Sequence, residues 1–421
     1  MRIGMLVWSY WPEPEGGAER QCRLLVRELT RRGHACAIYA SCAERPGMDS
    51  PEPGLAPVVE RMGVLCPLEK KLRRILPKWG RRLGGTPPLA LGKAVEFWLL
   101  APMVWLSRLS FLAALWVKVR RGKPPPVDVL HVHESGWLAG VGVFWARRWN
   151  IPVLIKEATS PALGRISYGT PLRRTWDRRR READGWGAQT PAVRRQLEEK
   201  GIPARRIHLI PNGVRIPPSR AWPDQSDSVV YVGNLTQGSD WKAFDVLFDA
   251  WIRVAQARPT AQLTFVGAGD PAPWIRMLQA GGLAHTVRFV GRAYDAAPHY
   301  ASAGIFVLPS RVEGMSNALL EAQSWGLACV VSDIPGNCAV VRDGVNGLVV
   351  PVGDAASLAA AIHRLLEDAG LRRRLGDRAR DQAMKEYGID SVAERLLHIY
   401  GEILSAGAGS GSPAPGAARS P

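Results

Sequence analysis

The sequence is poor in cysteine: 421 residues hold six, at Cys22, Cys36, Cys42, Cys66, Cys329 and Cys338. They form no C-x-x-C pair and have no histidine at zinc-ligand spacing, which excludes a disulfide scaffold and a zinc module and fits a reducing compartment. Long apolar runs are missing too. In the most apolar stretch Glu96 and Arg108 leave the uncharged runs Phe97–Ser107 and Leu109–Val117, each well short of the ~20 residues a membrane-spanning helix requires. The opening residues MRIGMLVWSYW lack the basic start and long apolar core of a secretory signal. They are read as a first buried strand ending at Tyr10, and a cytosolic location is expected.

Acidic residues are in deficit, 38 against 55 Lys and Arg, for a net charge of +17. The deficit is local: residues 1–215 carry 37 basic and 18 acidic side chains, the remainder 18 and 20. A basic half beside a near-neutral half points to a polyanionic partner for the first half alone, whether nucleic acid, anionic lipid headgroups or phosphorylated substrates. A well-solvated arginine-rich surface is the alternative.

With 46% apolar and 22% charged residues the chain is globular, and its length suits two lobes. Short apolar runs alternate with amphipathic, helix-length segments. Strands are expected at Ile3–Trp8, Ala35–Tyr39, Val127–His131, Val153–Ile155 and Ile207–Ile210, and again at Val229–Val232, Gln262–Val266, Val287–Val290, Ile305–Leu308, Ala328–Val331 and Leu348–Val350. Such β-branched or leucine-rich runs, each followed by a turn, suit parallel strands covered on both faces, hence an α/β fold of two doubly wound lobes. Proline and glycine at Pro211–Trp222 set the boundary. The expected division is a first lobe at 1–215, a second at 216–388, a helix at 389–404 crossing back to the first, and a disordered Gly/Ala/Pro/Ser tail at 405–421. Segment 69–123 joins a basic amphipathic stretch to an apolar one with Trp98, Trp105 and Trp116. It suits a helix lying on an anionic membrane surface, or an ordinary buried helix of the first lobe.

Two phosphate-binding devices are absent: there is no G-x-x-x-x-G-K-[ST] and no D-x-D. The run VGAGDPA at Val266–Ala272 follows a strand, but prolines follow its glycines and no acid stands about twenty residues on, so it is a turn and not a dinucleotide fingerprint. The strongest signal is EGMSNALLEA. Here a strand runs into a loop with Glu313 and Gly314, and a helix starts near Ser316 or Asn317, its unpaired first-turn amides forming a ready phosphate site. Eight positions separate Glu313 from Glu321, which puts one acid at the helix mouth and the other two turns inside. A carboxylate accepts two hydroxyl hydrogen bonds at once, which suits the vicinal diol of a ribose or hexose.

These residues resemble the E-x7-E motif of the retaining family-4, or group 1, glycosyltransferases, and the likeness extends over most of residues 1–400. The resemblance implies a GT-B fold, two Rossmann-like lobes facing a central cleft, with the nucleotide sugar on the second and the acceptor on the first. It implies that Glu321 binds the ribose and Glu313 the donor sugar, with Gly314, Met315, Ser316 and Asn317 donating backbone N–H groups to sugar and diphosphate. In VGNLTQGSDWKAFDVLFDAW, Lys242 matches the family's diphosphate-neutralising lysine, while Asn234 stands at the usual arginine and Ala243 at the usual glycine. The glycine pair Gly16–Gly17 in EPEGGAER matches a loop that touches donor phosphate and acceptor. After two first-lobe strands come HVHESG and IKEATS, expected to face the cleft. Glu157 occupies the place of a family histidine and is a catalytic candidate beside Glu313 and Lys242; His133 and Glu134 are acceptor-side candidates. No cofactor or metal is expected. The implied partners are a nucleotide sugar, a lipid-linked or glycan acceptor and an anionic membrane surface at the inner face of the plasma membrane, with no nucleic acid. A nucleotide-sugar epimerase or hydrolase of the same fold, or a non-enzymatic basic membrane- or nucleic-acid-binding protein, are the alternatives.

Overall fold

A computed structural model describes residues 1–9, 16–42, 58–61, 106–114, 116–117, 126–157, 173–218, 227–235 and 240–409. Two parallel sheets result. The first has seven strands in the order β3-β2-β1-β4-β5-β6-β7: β1 Arg2–Ser9, β2 Ala35–Cys42, β3 Val58–Arg61, β4 Val129–Val132, β5 Val153–Glu157, β6 Gly185–Ala188 and β7 Ile207–Leu209. The second has six in the order β10-β9-β8-β11-β12-β13: β8 Ser228–Val232, β9 Gln262–Val266, β10 Val287–Gly291, β11 Ile305–Leu308, β12 Ala328–Ser332 and β13 Leu348–Val350. Strand order reverses between β1 and β4 and between β8 and β11. In doubly wound sheets that reversal opens a crevice beyond the strands' carboxyl ends. The loops after these four strands are the ones that carry EGGAER, HVHESG, Lys242 and Glu313.

All eleven expected strands are present, and β3 and β6 are additional. The β6 sequence GWGA has no β-branched residue, so periodicity does not reveal it. Its glycine answers to packing: a Cβ on Gly185 would lie 2.7 Å from Ile403 Cδ1 and 2.9 Å from Leu154 Cδ1. Ile403 belongs to the last helix, Ile389–Gly409. That helix buries Val392, Leu396, Ile399 and Tyr400 in the first lobe's core with Leu25, Val26 and Leu29 of α1 (Gly17–Arg31). It runs to Gly409 and does not end at 404; 410–421 lie outside the described residues. The two chain crossings between lobes run side by side, with Val214 N–H donating to Tyr387 O and Ile389 N–H to Val214 O, at 2.8 and 2.9 Å.

The second lobe's core includes an aromatic cluster, with Phe248 stacked on Trp274 at 4.8 Å and Tyr231 on Phe265 at 4.7 Å. Of segment 69–123, only 106–114 and 116–117 are described. There Phe111 is buried against Trp8 and Trp137, while Leu106, Leu109, Trp116 and Val117 are exposed.

Candidate active site

Helix α2 (Asn317–Ser324) starts where the sequence places it, with Ser316 as N-cap and its Oγ accepting from Leu319 N–H. Just before it, Glu313 Oε1 accepts from Lys242 Nζ at 2.6 Å and from Ser310 Oγ at 2.8 Å. The loops bearing this pair are stapled together. Arg311 donates twice to the Asp245 carboxylate, at 2.9 and 2.6 Å, and once to Asp240 O at 2.8 Å. The Arg311 guanidinium holds the Asp245 carboxyl below the usual range. Sequence reasoning gave Arg311 no role, because its partner lies 66 residues away in the chain.

Asn234, at the usual arginine position, is a structural staple: its Oδ1 accepts from Ala268 N–H at 2.9 Å, and Leu235 N–H donates to Ala268 O at 2.7 Å. This ties the β8 loop to the VGAGDPA turn. A Cβ on Gly267 would stand 1.9 Å from Gly233 O, so glycine is required there by close backbone approach, as the turn assignment anticipates.

Glu321 lies one turn inside α2, and not the two turns that its spacing from Glu313 suggests, because the helix begins only at Asn317; it is largely buried. Burial raises its carboxyl above the usual range, while Arg20 and a hydrogen bond from Tyr300 pull it down. Arg20 comes from the first lobe: its Nη2 is 2.6 Å from Glu321 Oε1. Beside it Gln21 Nε2 donates to Gly213 O at 2.9 Å and Asn317 Oδ1 at 3.1 Å, and Asn212 Nδ2 donates to Asn317 Oδ1 at 2.8 Å and Met315 O at 3.2 Å. Asn317 Nδ2 reaches Gly17 O at 3.3 Å. The first turns of α1 and α2 therefore face each other across the cleft, bringing Gly16 and Gly17 to the same mouth as Gly314, Met315 and Ser316.

The first lobe differs from expectation at His133. Even register on β4 sends His131 and His133 to the interior face, where their rings stack at 4.3 Å and His131 Nδ1 lies 2.7 Å from Tyr400 Oη. His133 is thus a core residue, its Nε2 lying 3.3 Å from Met5 Sδ. Burial, aided by nearby Lys156, pushes His133 down to about 3, so the ring is neutral. Lys156, also on the interior face, has a buried Nζ with no hydrogen-bond partner among the described residues, and burial lowers it to about 8. Glu157 is buried at the end of β5, its Oε1 accepting from Ser135 Oγ at 2.6 Å. Glu134 is pushed up to about 7 by burial, against the pull of Arg108 and with Glu19 and Glu157 adding to the rise. A carboxyl in that range is suited to exchanging protons near neutrality. Residues 158–160 of IKEATS lie outside the described residues.

A cavity of about 230 Å³ opens beside Glu313 and is walled by both lobes, Thr190, Val193 and Gln196 on one side and Gly314, Ile334 and Pro335 on the other. Among the described residues no group of three or more His, Cys, Asp or Glu is placed to hold a metal ion, and no helix is long and apolar enough to cross a membrane.

Comparison with known proteins places these features in context. The profile described as Glycosyltransferase Family 4 matches residues 15–216, and that described as Glycosyl transferases group 1 matches 226–368. A phosphatidyl-myo-inositol mannosyltransferase of Mycobacterium leprae is 32% identical over 316 residues, covering 72% of this chain and 81% of that protein. A D-inositol 3-phosphate glycosyltransferase of Geodermatophilus obscurus is 32% identical over 304 residues, 63% of this chain and 66% of that one. Among solved structures, Anabaena HepE in complex with UDP superposes with a TM-score of 0.68 at 17% identity, over 96% of this chain and 100% of that one. WaaG, a glycosyltransferase of lipopolysaccharide biosynthesis, gives 0.64 at 16% identity, over 94% and 99%.

Proposed function

The chain belongs to glycosyltransferase family 4 and is a GT-B glycosyltransferase, and from that premise we propose that it moves a sugar from a nucleoside diphosphate sugar to a hydroxyl of a lipid-linked glycan acceptor, with retention of anomeric configuration and without a metal. The observation that carries this reading is the arrangement around α2: two acids at the mouth and first turns of one helix, with Lys242 2.6 Å from the outer one, beside a cavity shared by both lobes.

The nucleotide's ribose hydroxyls donate to Glu321, and the donor sugar's hydroxyls donate to Glu313. The diphosphate rests on the N-terminal amides of α2. Reaction breaks the bond between the anomeric carbon and the diphosphate oxygen, and the acceptor oxygen bonds to that carbon from the same face. The acceptor proton passes to the departing diphosphate. Negative charge grows on the diphosphate only as the bond breaks, so Lys242 and the amides stabilise the transition state more than the bound donor. One Lys242 N–H is committed to Glu313, which fixes the ammonium in place while two donors remain for phosphate oxygens. These groups take the part that a metal plays in enzymes with a D-x-D motif.

Lipid-linked acceptors lie at a membrane, and the first lobe's composition supports docking there. Exposed Leu106, Leu109, Trp116 and Val117, with exposed Phe144 on the neighbouring helix Trp137–Arg147, share the lobe with exposed Arg147, Arg148, Arg174, Arg178 and Arg179. Apolar side chains at headgroup depth flanked by arginine are the pattern of a protein lying on anionic lipid at the cytosolic face. The relatives named as acting on phosphatidyl-myo-inositol favour such an acceptor.

The test is incubation with labelled UDP- and GDP-sugars on anionic vesicles carrying extracted lipids, comparing the wild-type protein with Lys242→Ala and Glu321→Ala at equal melting temperature. Transfer to lipid that both variants lose is the expected result. Release of free sugar without transfer, or full turnover in both variants, rejects the reading.

A further inference from the structure

The second acid of the motif is clasped from the opposite lobe. Gly17, Arg20 and Gln21 occupy positions i, i+3 and i+4 of α1 and so share one face, as do Asn317 and Glu321 at i and i+4 of α2. The two faces meet rung by rung: Gly17 O with Asn317 Nδ2 at 3.3 Å, Gln21 Nε2 with Asn317 Oδ1 at 3.1 Å, and Arg20 Nη2 with Glu321 Oε1 at 2.6 Å. We propose that Arg20 is a positioning residue for the donor nucleotide: it reaches from the acceptor lobe to orient the Glu321 carboxylate, so that the ribose is gripped fully only when the lobes are together.

An exposed ion pair would contribute little, but the Glu321 side chain is only 13% exposed while Arg20 is 42% exposed. A carboxylate withdrawn from water needs a partner to remain ionised and fixed in direction, and Arg20 is the cation in contact with it among the described residues. The Arg20 ion pair and the Tyr300 hydrogen bond leave acceptor sites on the Glu321 carboxylate for ribose hydroxyls. The reversal at β1 and β4 places α1 at the cleft, and the Gln21–Gly213 pair of hydrogen bonds, at 2.9 and 2.8 Å, sets its register against the segment that joins the lobes. Closure of the cleft and competence of Glu321 then become one event, and the lobe that receives the acceptor also controls how tightly the donor is held.

The inference rests on the reading of Glu321 as the ribose acid, and one experiment separates the two. Calorimetry with UDP and GDP is run on wild type, Arg20→Ala, Arg20→Lys, Glu321→Ala and the double alanine variant, alongside thermal melts and steady-state kinetics. The expected result is a loss of affinity of roughly ten- to a hundredfold in each single alanine variant. The double variant should be no weaker than Glu321→Ala alone, Arg20→Lys should recover part of the loss, and donor KM should rise more than kcat falls, with unchanged melting temperature. If Glu321→Ala loses affinity but Arg20→Ala binds as tightly as wild type, or the two losses multiply, the clasp is wrong while the ribose reading stands. If Glu321→Ala itself binds normally, the ribose reading fails and takes the clasp with it.

Discussion

At the carboxyl ends of their strands the two lobes handle charge in opposite ways. The second lobe turns Lys242, Glu313 and Glu321 toward the cleft and holds them with neighbours, Ser310 on Glu313 and the Arg311–Asp245 pair behind Lys242. The first lobe turns His131, His133 and Lys156 into its core and keeps Glu157 buried against Ser135. Its contributions at the mouth are the start of α1, with Gly16, Gly17 and Arg20, and the largely buried cavity wall at Thr190 to Gln196. Under the proposed function the contrast is a division of labour: the second lobe supplies most of the charges that face the cleft, and the first supplies shape, the Arg20 contact and a surface for the acceptor.

Lys242→Ala is the harshest way to break that contrast. It removes the cation nearest the developing charge and leaves Glu313 without its counter-ion, so kcat should fall by roughly 10²–10³ with donor KM changed far less. Single-turnover kinetics on the purified variant gives the number. A variant that turns over normally would mean that charge is managed from elsewhere, and Arg20 in the first lobe would be the next candidate.

How much of this was legible in the sequence follows from the range of the interactions. The strands were legible because burial on both faces writes itself as unbroken apolar runs, and α2 was legible because an N-cap serine between Gly314 and an amphipathic run is a local signal. Strand β6 was not, since two glycines there serve the packing of Ile403 and Ile210, contacts made by distant parts of the chain. His133 was misplaced for a related reason. A strand's two faces are chemically equivalent in sequence until one knows which helix covers which, and Tyr400, which contacts the His131 ring, comes from 269 residues away. Arg20 stood in plain view in EGGAER, yet its partner Glu321 belongs to the other lobe. Asn234 illustrates the reverse: a departure from the family pattern whose local role, stapling two loops, emerges only from the fold.

A milder probe asks whether the first lobe's buried charge has any part in turnover. Lys156 has its ammonium in the core, lowered to about 8 from an ordinary 10.5. Below pH 8 the lysine is protonated folded and unfolded, and the full cost of burying the charge is present. Between 8 and 10.5 the unfolded chain binds the extra proton, so stability rises with pH across that window. Lys156→Met should therefore stabilise the protein at pH 7 by about 1–3 kcal/mol, and the advantage over wild type should shrink as pH climbs toward 10.5. Urea melts at pH 7 and pH 10 measure both. Retained turnover in the more stable variant keeps the division of labour; a stable but inactive variant would move the first lobe's interior into the chemistry.

The smallest expected effect lies on the other side of the contrast, immediately next to Lys242. Ala243 is fully buried at the N-cap of the helix Phe244–Ala257 with φ of 53°, in the left-handed region where a side chain is disfavoured and where the family pattern has glycine. The left-handed conformation costs a non-glycine residue about 1–2 kcal/mol. Glycine would relieve it, but the unfolded chain would gain freedom worth about 0.4–1 kcal/mol, and the contacts of one methyl group would be lost. The balance favours Ala243→Gly by well under about 1 kcal/mol, a rise in Tm of about 1 °C or less read by calorimetric scanning. Because this residue fixes the backbone that presents Lys242, the informative measurement is kcat beside Tm. A stabilised variant with a lower kcat would show that the strained alanine holds the ammonium in register with Glu313. A destabilised one would show that the methyl group's packing outweighs its strain, and the second lobe's loop would then be held by its core and not by its backbone.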